Sequence, residues 1–318
     1  MTGGTQNSFL LDLPGQLAAG LQDLDAERAA RHARLILSFQ RPDGGFAGRQ
    51  GGSDLYYTSF AVRGLALLNA LDGRRCRLVT DYLKSTASKQ RYSLIDLVSW
   101  FYTLITVRMV ERESVGDAGE MVVELPDALE DALETFRRPD GGYARTHQGG
   151  SSSTYHTFLA VLCYEMLGRT PPTTGLIVHF LHSRRREDGG FVEIGPMRRS
   201  GTNPTAAAAI LLNRFQALES SVLRGIADYL ELVKGSEGGF RANRQIPICD
   251  LLSTFTGMLM ASHLGLTEVI DGKACHRYLG SLEIDSGGFR GAAWDSETDP
   301  EYTFYGLGAL ALLKLLNF

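Results

Sequence analysis

The sequence predicts an all-α protein, an (α/α)6 toroid or barrel made of six helix-pair repeats of about 49 residues each. Three observations carry this prediction. A Gly-Gly-aromatic tripeptide recurs at nearly constant spacing, an amphipathic helix pattern precedes it, and an almost wholly apolar helix pattern follows it. We expect a single domain over residues 1–318, with units at about 24–70, 71–115, 120–168, 169–217, 218–266 and 267–318.

The tripeptide occurs five times, and its aromatic residues lie 97, 48, 49 and 49 residues apart. The copies are Gly44-Gly45-Phe46, Gly141-Gly142-Tyr143, Gly189-Gly190-Phe191, Gly238-Gly239-Phe240 and Gly287-Gly288-Phe289. The first interval is about twice the others, so one copy has been lost, and the segment 89–105 supplies Tyr92 in its place. We expect each glycine pair to reverse the chain with a positive φ, and each aromatic to fill the space between units. The GxGxxG and GxxxxGK[ST] patterns of phosphate-binding loops are missing from all five copies.

Two kinds of helix alternate along the units. The first kind, such as residues 25–40, carries one apolar stripe and should keep one face in solvent. The second kind, such as LYYTSFAVRGLALLNAL at 55–71, is apolar nearly all round and should be buried on both sides. We therefore predict two concentric rings of helices, and closure of the ring removes the need for capping repeats.

Composition narrows the possible partners and compartments. The chain has a net charge of −4, a pI near 6.0 and a mean hydropathy of −0.08, which argues against a nucleic-acid-binding surface. Its four cysteines form no CxxC pair, so we expect neither a disulfide framework nor a zinc knuckle, and we predict a cytoplasmic location. We find no signal peptide and no apolar run of the ~20 residues that a membrane span needs.

The repeated "DGGF", a polar loop and then "[D/S]-x-x-x-T-x-x-A-[VL]" resemble the prenyltransferase and squalene-oxidase repeat, from about Ala26 to Leu316. The last unit, DSGGFRGAAWDSETDPEYTFYGLGALALL, is most similar to the β subunit of protein geranylgeranyltransferase type II. The resemblance implies a central apolar cavity that binds an isoprenoid diphosphate or another polyisoprenoid. It also implies a helical α-subunit-like partner, of which this sequence shows nothing.

Members of that family hold zinc with an Asp, a Cys two residues later and a distant His. The matching positions here are Cys249, Leu251 and Tyr302, so no ligand type is retained in place. A shifted site with Cys249 and Asp250 is a weak alternative, because adjacent residues at a helix start point about 100° apart. We therefore predict no resident metal, and the sequence leaves magnesium open.

The predicted site lies where the polar loops meet the starts of the inner helices. The predicted catalytic residues are Asp250, Asp299, Tyr302 and His156. The predicted substrate-binding residues are Asp54, Tyr57, Trp100, Tyr155, Arg198, Arg241, Arg244, Ser253 and Phe255. The arginines suit phosphate, the aromatics suit a hydrocarbon, and each aspartate can alternatively cap its helix. His156 is singled out because it starts an inner helix, whereas histidines of outer helices, such as His32, should lie at the surface.

Three functions remain open on these residues. The first is an enzyme that transfers or cyclises an isoprenoid on the prenyltransferase scaffold. The second is a catalytically silent scaffold that binds a lipid or a protein. The third is a terpene-cyclase-like enzyme that uses a single rim aspartate as acid, because the Asp-x-Asp-Asp motif of protonating cyclases is missing.

Overall fold

A computed structural model describes residues 9–87, 92–115, 126–148 and 150–318. Within these ranges the chain forms thirteen α-helices, and the β-structure consists of isolated bridges. The helices are α1 (Phe9–Gly20), α2 (Ala26–Ser38), α3 (Leu55–Leu67), α4 (Gly73–Thr86), α5 (Leu94–Val115), α6 (Pro126–Glu134), α7 (Thr154–Met166), α8 (Thr174–Ser183), α9 (Thr202–Arg214), α10 (Ser220–Val233), α11 (Leu251–Leu264), α12 (Gly272–Leu282) and α13 (Pro300–Leu315). A short 3-10 turn, Thr267–Val269, precedes α12.

Six inner helices form a closed ring. Helices α3, α5, α7, α9, α11 and α13 each contact the next, and α13 contacts α3. The even-numbered helices α2 to α12 lie outside them, one in each unit. The predicted toroid of six helix pairs is therefore confirmed.

Burial separates the two rings as the sequence predicts. The inner helix α3 buries residues on all of its faces, whereas the outer helix α2 buries only His32, Ala33 and Ile36. An inner helix packs against outer helices on one side and faces the ring axis on the other, so it has almost no solvent-facing surface. The apolar surface of these helices builds most of the core.

The glycine turns have the predicted left-handed backbone, and one copy shows why. Gly44 has φ +91°, and a Cβ placed on it would lie 2.2 Å from the carbonyl oxygen of Leu78 in the next outer helix. A side chain at this position would therefore meet both backbone strain and a backbone atom. The first glycine of the other four copies has φ between +84° and +108°.

The aromatic residue after each glycine pair is locked in place by hydrogen bonds. Phe46 is fully buried, and its N–H donates to Oγ1 of Thr58 over 2.9 Å. Thr58 in turn donates to the carbonyl of Asp54, the residue that caps α3. The same aromatic N–H to threonine bond recurs in three later units, as Tyr143–Thr157, Phe191–Thr205 and Phe240–Thr254. This bond explains the threonine of the repeat motif.

The second unit has no Gly-Gly pair in its sequence. Tyr92, which we expected to replace the missing aromatic, is only half-buried, and its hydroxyl donates to the carbonyl of Thr86. It therefore attaches the start of α5 to the end of α4, and it does not fill the interior position that Phe46 occupies.

Two ion-pair clusters close the ring between the last and first units. Arg28 of α2 pairs with Glu283, which follows α12, and Nε2 of His32 lies 3.2 Å from the same carboxylate. Burial raises the pKa of Glu283, but the contact with His32 and the hydrogen bonds from Arg28 outweigh it and bring the pKa to about 2. The expectation that His32 lies at the surface is wrong. Its helix α2 packs against the last unit at the seam, the contact between the last and first units, and His32 is only 1% exposed.

The second closing cluster is centred on Arg49. Its Nη1 and Nη2 donate to Asp295 over 3.0 and 2.6 Å, and its Nε donates to Asp299 over 2.8 Å. The loop that precedes α3 is thereby fixed to the loop that precedes α13.

Helix α1 lies outside the six units and across one end of the barrel. It contacts the inner helices α3, α7 and α13, and Gly20 packs against the backbone of Ala311 near the end of α13. Leu13 and Leu17 are buried in the main core. Since the inner helices finish at this end, α1 covers the end of the barrel opposite to the loops that carry the predicted site.

Candidate functional site

A cavity of about 800 Å³ runs along the axis of the inner ring. Its wall is formed by side chains of the inner helices, and α1 contributes Leu13, Leu17 and Ala18 at the covered end. Eight aromatic residues line it: Tyr56, Phe60, Tyr102, Tyr155, Phe158, Phe255, Phe304 and Tyr305. Cavities of roughly 300–1,000 Å³ with mostly apolar walls are typical of small-molecule sites.

Only two of the predicted site residues line this cavity. Tyr155 and Phe255 do so, and Phe255 packs edge-on against Phe304 at a centroid distance of 6.0 Å. Burial raises the pKa of Tyr155 to about 12, so its hydroxyl stays protonated. Trp100 lies on another face of α5, where its indole N–H donates to the Leu83 carbonyl of the outer helix α4. Tyr57 packs over Gly48 in the loop before α3.

The predicted aspartates cap their helices. The side chains of Asp54, Asp250 and Asp299 accept the N–H of the residue three positions later, at the starts of α3, α11 and α13. This is the alternative that the sequence left open for each of them.

Asp250 and Ser253 form a compact pair at the start of α11. The Ser253 hydroxyl, which is buried, donates to Oδ2 of Asp250 over 2.8 Å. Burial raises the pKa of Asp250, and the hydrogen bonds from Ser253 oppose the rise. Burial therefore favours the protonated form of Asp250.

Asp299 and Tyr302 belong to the seam. The Asp299 side chain is 2% exposed and bonded to Arg49, whose guanidinium carbon lies 5.5 Å from the centre of the Tyr302 ring. Burial raises the pKa of Tyr302 to about 12. Through its bond to Arg49, Asp299 links the start of α13 to the loop before α3.

His156 lies beside Ser153 and Glu193 at the mouth. The Ser153 hydroxyl is 2.6 Å from Nδ1 of His156 and also donates to Glu193, and Nε2 is buried without a hydrogen-bond partner among the described residues. Burial, and then the charge of Arg145, lowers the pKa of His156 to about 4. The imidazole is therefore neutral at pH 7 and brings no positive charge to an anionic ligand.

The predicted arginines differ in their availability. Arg198 and Arg244 are exposed in the loops before α9 and α11. Arg241 instead donates to the carbonyl of Leu232 over 2.6 Å, at the end of α10. Arg199, which follows Arg198 in the loop before α9, lines the mouth of the cavity.

The weak metal candidates diverge, as their adjacent positions imply. Cys249 is buried, and burial and then a hydrogen bond with Glu237 raise the pKa of its thiol to about 12, whereas Asp250 faces Ser253. Across the described residues, no three His, Cys, Asp or Glu side chains converge into a metal site. The donors near Cys249 therefore do not fit zinc, and the prediction about resident metals stays a prediction.

Three charged residues of the site were missed by the sequence analysis. Glu193 lines the mouth, Arg63 lines the interior, and Glu301 accepts a hydrogen bond from the Tyr56 hydroxyl over 2.6 Å. Burial raises the pKa of Glu301, and the bond from Tyr56 opposes the rise. Arg63 could have been found from the sequence, because it is the only charged residue of the inner helix Leu55–Leu67.

A family model for the prenyltransferase alpha-alpha toroid domain matches residues 11–200 and 173–318. The chain belongs to the prenyltransferase α/α toroid family. No curated protein matches it in sequence. No helix among the described residues of this toroid has the length and apolar character of a membrane span.

Solved structures with the toroid fold resemble the chain at low identity. Protein geranylgeranyltransferase-I of Candida albicans, complexed with GGPP, has a TM-score of 0.70 at 13% identity, covering 89% of this chain and 90% of its own. The type II terpene cyclase MstE of Scytonema has a TM-score of 0.58 at 13% identity, covering 95% and 98%. An α-1,6-mannanase of Salegentibacter has a TM-score of 0.59 at 12% identity, covering 92% and 99%. At these identities the likeness shows the fold, which hosts several chemistries.

Proposed function

We propose that this protein binds an isoprenoid in its central cavity and transfers or cyclises it. The observation that carries the proposal is the axial cavity of about 800 Å³ with an aliphatic and aromatic wall. Burying a hydrocarbon there is favourable by roughly 25 cal/mol per Å² of apolar surface removed from water. The chain's own family and the isoprenoid ligands named for two of its structural neighbours support the proposal.

The cavity argues against a carbohydrate substrate, although one neighbour is a mannanase. A sugar needs a hydrogen-bond partner for each buried hydroxyl, because an unpaired buried polar group costs about 1–3 kcal/mol. The wall formed by α7 and α9 offers Phe158, Leu159, Leu162, Ala207 and Ile210 instead. These side chains suit a flexible hydrocarbon.

The reacting end of the ligand needs polar groups, and these lie at the mouth and beside it. Glu193, Asn203 and Asn243 line the cavity there. Glu301 joins the predicted catalytic residues as a candidate acid. Those residues remain, at the adjoining helix starts, Asp250, Asp299, Tyr302 and His156. A neutral imidazole can accept a proton, and a carboxyl group with a raised pKa can donate one.

We further propose a cytoplasmic location. All four cysteines are free and buried, which suits a reducing compartment. The α-subunit-like partner that the family resemblance implies belongs to the same proposal. Co-purification of a helical subunit from the source cell would support it.

Binding and turnover of geranylgeranyl diphosphate test the function. We expect saturable binding by isothermal titration calorimetry, and conversion of the radiolabelled diphosphate to a new product in the presence of a cell extract that supplies acceptors. Binding without conversion would support the silent scaffold. Absence of binding, together with no retained lipid in native mass spectrometry of fresh protein, would overturn the proposal.

A variant that fills the cavity provides the matched control. Ala207 of α9 faces the cavity, so Ala207→Trp should occupy part of it and weaken binding at least about tenfold. Ala207→Ser changes the same position with little added volume and should leave the affinity within about threefold of the original value. Equal affinities of the two variants would place the ligand elsewhere.

A further inference from the structure

Arg63 is a positive charge inside the apolar barrel. It lies on the third turn of α3, roughly 12 Å along the helix from its start, at 1.5 Å per residue. Its side chain lines the central cavity. The position is thus well below the loops that carry Arg198, Arg199 and Arg244.

Aromatic rings from three units hold the guanidinium group. Its central carbon lies 4.3 Å from the ring centre of Phe60, 4.7 Å from that of Tyr102 and 4.5 Å from that of Phe304. Ring faces attract a cation and fix its orientation. They carry no net charge, however, and so they leave the positive charge uncompensated.

No carboxylate among the described residues forms an ion pair with Arg63. Its Nε donates to the Ser59 carbonyl over 3.1 Å. Burial raises the pKa of Tyr102, and the charge of Arg63 opposes the rise. Glu301 is a carboxyl group whose ionisation the charge of Arg63 favours, but its hydrogen bond is accepted from Tyr56. A guanidinium has five N–H donors, more than these neighbours use. Arg49, by contrast, bonds to two aspartates.

Polar side chains flank Arg63 on its own helix and on the next. On α3 and α5 the cavity wall includes Ser59, Ser99 and Thr106. Below Asn203 at the mouth, the wall on α7 and α9 is aliphatic and aromatic. A molecule with an acidic end group and a hydrocarbon chain matches this division, because a buried charge is stabilised by an opposite charge that also accepts its hydrogen bonds.

The same charge disfavours a carbocation at this level of the barrel. The faces of Phe60, Tyr102 and Phe304 already contact a cation, and a second positive charge nearby would be repelled. The ring faces that could stabilise a cationic intermediate are therefore those nearer the mouth.

We infer that Arg63 binds the anionic oxygen group of an acidic isoprenoid, a phosphate or a carboxylate, inside the barrel and below the rim. The inference rests on the proposed function and places the ligand's acidic end inside the barrel, so the other end of its chain extends toward the reacting groups at the mouth. It predicts that the exposed arginines of the loops contribute less to binding than this interior one.

Three probes with the same hydrocarbon chain test the inference: geranylgeranyl diphosphate, geranylgeranoic acid and geranylgeraniol. We expect the original protein to bind both acids at least about tenfold more tightly than the alcohol in titration calorimetry. Arg63→Gln should weaken the acids by roughly 10–100-fold and the alcohol by less than about threefold. Arg63→Lys, which keeps the charge without the planar fork, should fall between.

Two further variants locate the effect. Arg74→Gln removes an exposed arginine of the outer helix α4 and should change no affinity. Arg199→Gln tests the rim. If this variant lost affinity for the two acids, and Arg63→Gln changed the affinity for all three probes alike, the inference would be overturned and the proposed function would stand. Equal binding of acid and alcohol by the original protein would also overturn it, without any variant. Failure of all three probes to bind would overturn both proposals.

Discussion

Replacing Arg49 by methionine should open the seam of the ring. The substitution keeps much of the side-chain length and removes three hydrogen bonds to Asp295 and Asp299. Asp299 is 2% exposed, so its carboxylate would be left buried without its cation. Loss of one partner of a buried ion pair costs about 3–5 kcal/mol. We expect the lower end, about 3 kcal/mol, because Arg49 is 26% exposed and Asp299 still accepts the Tyr302 N–H.

The melting temperature measures this cost. At about 2.1 cal/mol/K per residue, unfolding of 318 residues has an entropy near 0.7 kcal/mol/K, so 3 kcal/mol corresponds to about 4 °C. Arg34→Met is the matched control, because its pair with Glu27 is exposed on both sides and should contribute less than about 1 kcal/mol. Differential scanning calorimetry at pH 7 compares the two variants.

Acid provides a second readout for Arg49. Burial raises the pKa of Asp295, but the bonds and charge of Arg49 outweigh it and hold the pKa below its ordinary 3.8. This stabilisation is present above that pH and is lost as the pH falls through the lower folded-state value. The gap between the original protein and Arg49→Met should therefore narrow in acid. A gap of less than 1 °C at pH 7, or one that widens toward pH 3, would refute the seam as a source of stability.

Three other predictions concern the turn and the mouth. Gly189→Ala should abolish soluble expression or lower the melting temperature far more than Gly51→Ala. Both glycines have positive φ, but only at Gly189 would a Cβ meet a backbone oxygen, at 2.0 Å. Equal effects of the two substitutions would contradict the close packing at Gly189. The imidazole of His156 should titrate near pH 4 in NMR spectra, so stability should decline as the pH falls below the ordinary value of 6.5; a midpoint near 6.5 would show that the ring is solvated. Burial raises the pKa of Glu301, so its ionisation destabilises the folded protein as the pH rises. The melting temperature of Glu301→Gln minus that of the original protein should therefore be larger at pH 8 than at pH 5, and a pH-independent difference would contradict this.

The architecture was predictable because it depends on local rules that recur. A glycine with positive φ, an aromatic residue and an apolar helix repeat at a fixed interval, and each copy supports the interpretation of the others. The caps were foreseeable for the same reason, since Asp54, Asp250 and Asp299 precede apolar helices.

The site was less predictable because an inner helix is apolar on every side. Sequence alone does not distinguish the face of α5 that meets the cavity from the face that meets α4. For this reason the sequence analysis named Trp100, whose indole N–H donates to α4, and did not name Tyr102, which lines the cavity. Contacts across the seam posed the same difficulty. His32 is buried through Glu283, which lies about 250 residues away in sequence, and no helical pattern reveals such a partner. The three aromatic rings that contact the Arg63 guanidinium group likewise come from the first, second and last units.

Helix α1 gives the barrel a floor that the repeats do not supply. Leu13, Leu17 and Ala18 set the depth of the cavity, yet they lie outside the glycine turns and the closing ion pairs. The depth of the cavity limits the size of the ligand that it accepts. Bulkier or smaller side chains on this one helix would therefore change that size and leave the ring of inner helices unaltered.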